Sequence, residues 1–207
     1  MAPVVSTGHI NKDKRMKKVL LVASDKSELK GSDDSFFKCI SGVGPIMAAA
    51  ASSLAIKETG AEIVISVGSA GSIGRLKKGE VISFSSVFSL DQDLSSFHLP
   101  LGATLGRDRN TVGELRSRDF SSPFSLLTSA SFAHTLTDRM ASFRCDAVDM
   151  EAYGVAIAAS LHSIPFYCVK IISDIIGDNS GIGDVSYSVR EARTRLWEKV
   201  NSLLKEA

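Results

Sequence analysis

The apolar residues of this chain fall into short continuous runs that are separated by polar and glycine-rich turns. The runs "VLLVA" (19–23), "FFKCI" (36–40), "AEIVISV" (61–67) and "PFYCVKIIS" (165–173) have the length and composition of buried strands. Two further strands are predicted, one from Glu80 to about Leu90 and one in "FSLLTSASF" (124–132). Continuous apolar strands are typical of a mostly parallel sheet that is covered on both faces.

Helices are predicted between and after these strands. In "PIMAAAASSLAIKETG" (45–60), Pro45 suits a first helical turn, the alanines favour a helix and Gly60 ends it. A second helix is predicted from 149 to about 163. A third, at the end of the chain, has apolar residues at helical spacing: Val189, Ala192, Leu196, Val200 and Leu203. Strands that alternate with helices predict an α/β domain.

The chain is predicted to hold one folded domain. Residues 1–15 lack periodicity and end in a charged run, so we expect a disordered tail followed by a domain over 16–207. The stretch from Gly102 to Ser122 is polar and predicts no clear element. The remaining length suits one α/β domain with a substantial core.

Composition narrows the functional classes. Hydrophobic residues make up 44% of the chain, charged residues 23%, and the formal net charge is +1 with the signs mixed. This pattern disfavours nucleic acid as a partner. The longest apolar run near the start, 19–23, is too short for a signal peptide or a membrane span, so we expect a cytoplasmic protein that does not bind membranes.

The cysteines and histidines predict neither a metal nor a cofactor. The three cysteines are widely spaced and odd in number, which indicates a reducing compartment rather than a disulfide framework. The four histidines share no metal-ligand spacing. The segment "GVGPIM" has two of the three glycines of a dinucleotide-binding turn, and no Gly-Lys-Ser/Thr loop is present.

Polar and glycine-rich segments follow the predicted strands and mark a candidate ligand site. They are "SDKSE" (24–28), "SGVG" (41–44), "GSAGS" (68–72), "TSASF" (128–132) and "SD" (173–174). Parallel sheets bind ligands beyond the carboxyl ends of their strands, and glycine turns there expose backbone N–H groups. Taken singly, each turn is equally explained as a tight connection.

Two acids, Asp149 and Glu151, stand unexpectedly at the head of the apolar segment "AVDMEAYGVAIAA". Carboxylates are costly to bury without a partner, so this pair predicts a ligand contact, and Asp149 is also interpreted as a cap for the following helix. Together with "SGVGPIMAAAAS", "VISVGSAGSI" and "PFYCVKIISD", in this order, the segment resembles the nucleoside phosphorylase and nucleosidase superfamily. Within it, the pattern is most similar to the 5′-methylthioadenosine/S-adenosylhomocysteine nucleosidases.

The resemblance implies a single three-layer α/β/α domain with a central mixed, mostly parallel sheet, and a homodimer. It also implies hydrolysis of the N-glycosidic bond of 5′-substituted adenosines, with release of adenine. Asp174 would then protonate the leaving purine and Glu28 would activate water, with Ser173 beside the acid. The chemistry suits the residues, because cleavage passes through an oxocarbenium-like sugar and needs one protonated and one ionised carboxyl group.

The resemblance further assigns residues that bind the nucleoside. Glu151 would bind the ribose hydroxyls, with Met150 against the sugar and Asp149 beside them. Phe132 would stack on adenine, Ser69 would lie on the water side, and Phe97 would reach the 5′ pocket of the partner subunit. Without the resemblance, Glu28 and Asp174 are equally read as helix-end or turn-capping acids and Phe132 as core.

The sequence also departs from the family pattern. Few residues separate Glu28 from "SGVG", so the sheet is predicted to be trimmed near the N-terminus; Asp149 and Lys170 stand where Glu and Arg are usual. Ser66 replaces the phosphate-binding Arg of the phosphorylases, which favours water as the nucleophile. Lys26 and Arg75 keep a phosphorylase open as the alternative. A hydrolase of another modified adenosine, such as futalosine, and a catalytically silent nucleoside-binding protein also stay open.

Overall fold

The computed structural model describes residues 4–6, 17–106, 111–178 and 182–206 of the chain. Its strands are β1 (Val4–Ser6), β2 (Val19–Ala23), β3 (Phe37–Ile40), β4 (Ile63–Ser72), β5 (Val81–Ser83), β6 (Ser86–Ser89), β7 (Thr104–Leu105), β8 (Thr111–Val112), β9 (Leu115–Arg116), β10 (Ser125–Thr128), β11 (Ala147–Asp149) and β12 (Phe166–Ile175). Its α-helices are α1 (Pro45–Thr59), α2 (Asp138–Ser142), α3 (Ala152–Leu161) and α4 (Ile182–Glu206). Short 3₁₀ turns cover Lys26–Leu29 and Ser95–Phe97.

The central sheet is mixed and mostly parallel, as predicted. Its order is β1-β3-β2-β4-β11-β10-β6-β9, and β12 pairs with both β4 and β5. Strands β2, β3, β4 and β12 run parallel to their neighbours in this group, and β11, β10 and β6 form a second parallel group. The two groups meet where β11 runs antiparallel to the end of β4. β7 and β8 form a separate small ladder.

Helices cover both faces of the sheet and give the predicted three layers. On one face, α1 and α3 enclose a core that includes Leu20, Val64, Ala156 and Ile172. On the other, α4 covers Leu21, Ile65, Ile171 and their neighbours with Ala192, Leu196 and Val200. Alternate residues of β4 and β12 therefore contribute to opposite cores, which explains why these strands are apolar without interruption.

The predicted bounds of α1 are confirmed. Pro45 occupies the first turn, and Gly60 ends the helix in the left-handed conformation with φ 62°, its N–H donating to Ile56 O. A left-handed residue at this position suits glycine, which has no Cβ to clash with the backbone.

The prediction of one strand from Glu80 to Leu90 is wrong. The chain forms β5 antiparallel to β12, then changes partner and forms β6 parallel to β10. Between them, Phe84 N–H donates to Cys168 O and Ser85 N–H donates to Phe124 O. The strand breaks because its two halves pair with different partners, β12 and β10. The apolar pattern of the segment does not show this change of partner.

The predicted helix from 149 to about 163 begins later than expected. Residues 147–149 form β11, which pairs with β10 and β4, and α3 starts at Ala152. Asp149 is therefore the last residue of a strand. The Gly102–Ser122 region, which had no prediction, contains β7, β8 and β9, each of two residues.

Part of the predicted N-terminal tail is described. Val4–Ser6 pairs antiparallel with β3 at the edge of the sheet. Residues 1–3 and 7–15 of the expected tail lie outside the described residues, as does residue 16. No helix in the described ranges is long and apolar enough to cross a lipid bilayer.

Candidate active site

An open cavity of about 220 Å³ lies beyond the carboxyl ends of β2, β4, β10, β11 and β12. Most of the predicted site residues line it: Ser69, Phe132, Asp149, Met150, Glu151, Ser173 and Asp174. Ser24, Val43, Ala70, Gly71, Ser131, Ala133 and Val148 complete the wall. The prediction that the polar strand ends converge at one edge is confirmed.

Glu28 lies behind two serines of this wall. Its Oε2 accepts hydrogen bonds from Ser24 Oγ at 2.8 Å and Ser24 N at 3.1 Å, and its Oε1 accepts from Ser69 N at 3.1 Å and Ser69 Oγ at 3.3 Å. The 3₁₀ turn that carries Glu28 is capped by Asp25, whose N–H also donates to Glu28 Oε2 at 3.4 Å. Glu28 thus caps its own turn and also hydrogen-bonds to Ser24 and Ser69, two of the serines that line the cavity.

Gly68 makes room for this carboxylate. A Cβ at position 68 would lie 2.7 Å from Glu28 Oε1 and 3.0 Å from Glu28 Cδ. The residue also has φ +138°, a conformation that other residues rarely adopt. The first glycine of "GSAGS" therefore allows Glu28 to approach β4.

An extra residue in β12 places Ser173 beside Asp174 on the cavity wall. Ile172 pairs with Ala70 and Asp174 pairs with Gly71, so Ser173 is inserted as a bulge. Successive strand residues normally point to opposite faces, but here both Ser173 and Asp174 line the cavity. Ser173 Oγ donates to Asp174 Oδ1 at 2.5 Å. A Cβ on Gly71 would lie 3.1 Å from Asp174 Oδ2, so the small residue leaves space for the acid.

Asp149 is buried and its two oxygens are occupied. Oδ1 accepts from Thr128 Oγ1 at 2.7 Å, and Oδ2 accepts from Ala152 N at 2.9 Å. Oδ2 also lies 2.9 Å from Lys170 Nζ, in an ion pair whose side chains are 0% and 1% exposed. The interpretation of Asp149 as a cap for the following helix is confirmed.

Glu151, by contrast, has an oxygen available to a ligand. Oε1 accepts from Gly44 N at 3.1 Å, while Oε2 accepts no hydrogen bond from the described residues. Burial and then the negative charge of Asp149 raise the pKa of Glu151 to about 7, although Lys170 and the Gly44 N–H act in the opposite direction. Glu28 adds a smaller raising effect.

The contact between Gly44 and Glu151 depends on a close approach of α1 and α3. A Cβ at Gly154 would lie 2.1 Å from Pro45 O and 2.9 Å from Ala49 N. Glycine at position 154 therefore lets the first turn of α1 rest on α3. The "SGVG" turn was predicted to expose backbone N–H groups to a ligand, but the Gly44 N–H donates to the Glu151 carboxylate.

The predicted aromatic residues differ in position. Phe132 is 49% exposed and lines the cavity, with its ring packed edge-on against His134 at a centroid distance of 4.7 Å. Its alternative reading as core is therefore wrong. Phe97 is 74% exposed and is not part of the cavity wall within this chain.

Basic residues are absent from the wall of the cavity as far as the chain is described. Arg75 forms an ion pair with Asp146 and lies 4.9 Å from the centroid of the Phe124 ring. Lys26 is exposed and also lies outside the wall. Ser66 is buried, and its hydroxyl has no hydrogen-bond partner among the described residues.

The sequence places Ser24 and Gly44 in segments of the candidate site but predicts no individual role for either, and it does not predict the Lys170–Asp149 pair. Lys170 departs from the family pattern, but its partner lies 21 residues earlier in the chain. Only the packing of β11 beside β4 and β12 brings the two together.

An acid-lined cavity at the strand ends of a three-layer α/β/α domain defines this chain as an α/β protein with a small-molecule site at the sheet edge. Comparison with known protein families agrees with this fold class and identifies one family within it. Residues 33–205 match the sequence model of the phosphorylase superfamily, and the chain belongs to that family.

Individual relatives and solved structures point in the same direction. The 5′-methylthioadenosine/S-adenosylhomocysteine nucleosidase of Desulfotalea psychrophila is 26% identical over 184 residues, covering 80% of this chain and 76% of the relative. The Colwellia psychrerythraea nucleosidase, solved in complex with adenine, has a TM-score of 0.76 at 20% identity, covering 92% of this chain and 96% of that one. Futalosine hydrolase of Helicobacter pylori has a TM-score of 0.76 at 17% identity, covering 93% and 99%. These structural similarities show a shared fold.

Proposed function

We propose that the protein hydrolyses the N-glycosidic bond of 5′-substituted adenosines, such as methylthioadenosine and S-adenosylhomocysteine, and releases adenine. The observation that carries the proposal is that Glu151 and Asp174 line one cavity while Glu28, from a third element, hydrogen-bonds to Ser24 and Ser69 of the same wall. The activity in the name of the Desulfotalea relative supports the substrate class.

Each carboxyl group has a separate task in the proposed reaction. Water adds to C1′ of the ribose while the C1′–N9 bond breaks, and the bonding electrons pass to the purine. Asp174 gives a proton to a ring nitrogen of the departing adenine, and Glu28 takes the proton that the water loses. Negative charge near C1′ stabilises the oxocarbenium-like transition state, and Glu151 accepts hydrogen bonds from the ribose hydroxyls.

The polarity of the wall favours water over phosphate as the nucleophile. A phosphate dianion in the cavity would meet Glu151 and Asp174, with Glu28 behind the serines of the wall. No lining residue in the described part of the chain offers it a cationic partner. Arg75, which the sequence analysis named as a possible phosphate-binding residue, forms an ion pair with Asp146. A small neutral water molecule has no such electrostatic cost.

The base and the sugar would be held by different parts of the wall. We propose that adenine stacks on Phe132, which is half exposed in the cavity, and that Met150 contacts the sugar face. Ser69 and Ser24 lie on the side of Glu28 and would contact the attacking water. Ser173 would orient Asp174 through its short hydrogen bond.

The second candidate is hydrolysis of futalosine or another adenosine with a larger 5′ group. The similarity in fold to futalosine hydrolase supports this second candidate, because both reactions need the same acids around C1′. The two differ only in what the 5′ end of the cavity accepts.

We further propose a homodimer that uses an exposed apolar surface next to the cavity. Its residues come mainly from the start of α1 and the end of α3: Val43, Ile46, Met47, Leu54 and Leu161. Val43 belongs both to this surface and to the cavity wall. In such a dimer the exposed Phe97 of each subunit would complete the 5′ pocket of the other.

The wider assignments belong to the same proposal. We place the protein in the cytoplasm, in purine metabolism and methionine salvage, with residues 16–207 as the nucleosidase domain. The three cysteines are free and buried, which suits a reducing compartment. The match of residues 33–205 to the phosphorylase superfamily supports the domain limits.

The test is to incubate the protein with methylthioadenosine, S-adenosylhomocysteine, futalosine and inosine, each with and without phosphate, and to measure the free base by chromatography. We expect adenine from the first two substrates at equal rates in both buffers. Release of base only in phosphate would overturn the hydrolase assignment, and release from futalosine alone would select the second candidate. Protein carrying Asp174→Asn serves as the control for contaminating activity.

A further inference from the structure

Lys170 is a fully buried cation directly beneath the cavity. Its side chain is 1% exposed, and its Nζ lies 2.9 Å from Asp149 Oδ2 and 3.5 Å from Val67 O. Burial alone would lower the pKa of Lys170, but the nearby carboxylates, chiefly Asp149, raise it above its ordinary value. An ammonium group in this position stays charged and acts as a fixed positive charge below the site.

The charge of Lys170 acts on more than one acid. Asp149, Glu151 and Glu28 all interact with it electrostatically, as does the Cys168 thiol. Asp149 already accepts hydrogen bonds from Thr128 and Ala152, which is the behaviour of an ionised carboxylate. Glu151 lies two residues after Asp149 and must therefore carry its negative charge close to the negative charge of Asp149.

Lys170 and the Gly44 N–H are the groups that oppose this repulsion. Glu151 experiences Asp149 and Glu28 as like charges, and Lys170 as the opposite charge. Removing the ammonium would leave Asp149 buried without its ionic partner and Glu151 without a nearby cation. A carboxyl group that becomes neutral loses one acceptor site and much of its affinity for ribose hydroxyls.

We propose that Lys170 is a positioning residue for sugar binding, whose charge balances Asp149 so that Glu151 can carry the negative charge that accepts the ribose hydroxyls. The inference rests on the proposed function for the identity of the ligand. Lys170 touches no substrate in this role, because Asp149 and the strand backbone enclose it. Lys170 and Asp149 act together because their charges balance. Removing only one of them would leave an unbalanced charge beside Glu151.

The experiment measures the binding of methylthioadenosine by calorimetry between pH 5 and 9, in an Asp174→Asn background that does not consume it. With Lys170 present, we expect affinity to rise through about pH 7 and then level off. Lys170→Met should move this rise upward by at least about one pH unit, which is at least roughly a fivefold weaker affinity at pH 7. Lys170→Arg should restore the original profile, and Asp149→Asn combined with Lys170→Met should move it back toward the original.

A purely structural role for Lys170 predicts a different result. Lys170→Met would then lower the thermal midpoint and leave the pH of the binding transition unchanged, which would overturn the proposal. Lys57→Met, which removes an exposed charge on α1, is the matched control for net charge and should leave the profile in place. If Lys170→Met does not fold, the double variant and Lys170→Arg carry the test. A double variant whose profile stays displaced would then contradict the proposal.

A second measurement keeps the inference separate from the identity of the ligand. The difference in thermal midpoint between proteins with Glu151 and with Glu151→Gln is recorded against pH, with Lys170 or Met at position 170 and no ligand. The pH at which the difference develops should rise when Lys170 is removed. If methylthioadenosine fails to bind at any pH but this shift is present, the proposed substrate is wrong and the role of Lys170 stands. If the shift is absent, Lys170 does not have the proposed role.

Discussion

The carboxylate of Glu28 occupies the space that a side chain on residue 68 would need, with Oε1 2.7 Å from the position of a Cβ there. Glu28 and residue 68 thus fit together only because residue 68 is glycine. The proposed base depends on this fit for its contacts with Ser69.

Gly68→Ala should therefore remove activity beyond the effect of its backbone strain. Ala at φ +138° is strained and should lower stability, and the new methyl group would also displace the end of the flexible Glu28 side chain, so that the proposed base leaves Ser69. We expect kcat for methylthioadenosine to fall at least about 100-fold, the scale of a lost general base. Gly74→Ala is the matched control, because Gly74 has a similar φ of +143° but nothing within 4 Å of its Cβ position. Equal kcat values in the two variants would contradict the arrangement.

Asp174→Asn should abolish turnover and leave the fold intact. Asn keeps the size of the side chain but cannot donate the acidic proton, so kcat should fall by about 10²–10⁴-fold. The measurement is adenine release together with the circular dichroism spectrum and thermal midpoint. Asp34→Asn, at an exposed position where Asp34 pairs with Lys38, should leave kcat unchanged. Turnover close to the original rate would take Asp174 out of the proposed mechanism.

Gly154→Ala should affect both stability and substrate binding. The Cβ would meet backbone atoms of Pro45 and Ala49, which no side-chain rotation can relieve, so α1 has to move away from α3. We expect a loss of about 1–3 kcal/mol in the free energy of unfolding, as for other overpacked cores. KM should also rise, because the Gly44 N–H would move from Glu151. Ser160→Ala, on the exposed side of α3, should change neither quantity.

The pH dependence of stability should report Glu151 in the absence of ligand. Its pKa is about 7 in the folded protein against an ordinary value of 4.5, so between these two values the folded state binds more protons than the unfolded state. The contribution of Glu151 to stability therefore falls as pH rises from about 4.5 to about 7. Denaturant titrations should show Glu151→Gln losing this slope.

Other acids titrate in a different range. The pKa of Asp93 is lowered to about 2 by hydrogen bonds from Ser95 and by Arg139, and the pKa values of Asp25, Asp33 and Asp119 are also lowered. Their stabilisation is present above their ordinary pKa of 3.8 and is lost as pH falls through the lowered values. An unchanged slope between pH 4.5 and 7 in Glu151→Gln would thus exclude Glu151 as its source.

The sequence predicts elements well where local chemistry determines them. The apolar run 19–23 is a buried strand, and Pro45 and Gly60 bound α1 as expected. These features depend on hydrophobic continuity and on backbone preferences that each residue carries by itself. The convergence of acids at the strand ends was also predictable, because parallel topology brings those ends to one edge.

Features that depend on a distant partner were not predictable. The segment 80–90 divides into two strands because β12 and β10 each take part of it. Asp149 belongs to a strand and not to α3, because β10 and β4 extend the sheet to it. The Asp149–Lys170 ion pair and the contact between Gly44 and Glu151 join residues far apart in sequence, and no local pattern marks either.

The bulge in β12 adds a residue to the site without changing how the strands pair on either side of it. Asp174 pairs with Gly71 across the bulge, so in a chain that lacks Ser173 it would follow Ile172 in an unbroken ladder and still lie opposite Gly71. Such a chain would keep its acid at the cavity and lose the hydroxyl that donates to Asp174 Oδ1. The insertion therefore supplies a hydrogen-bond donor to the proposed acid, and the sheet does not need it to place that acid.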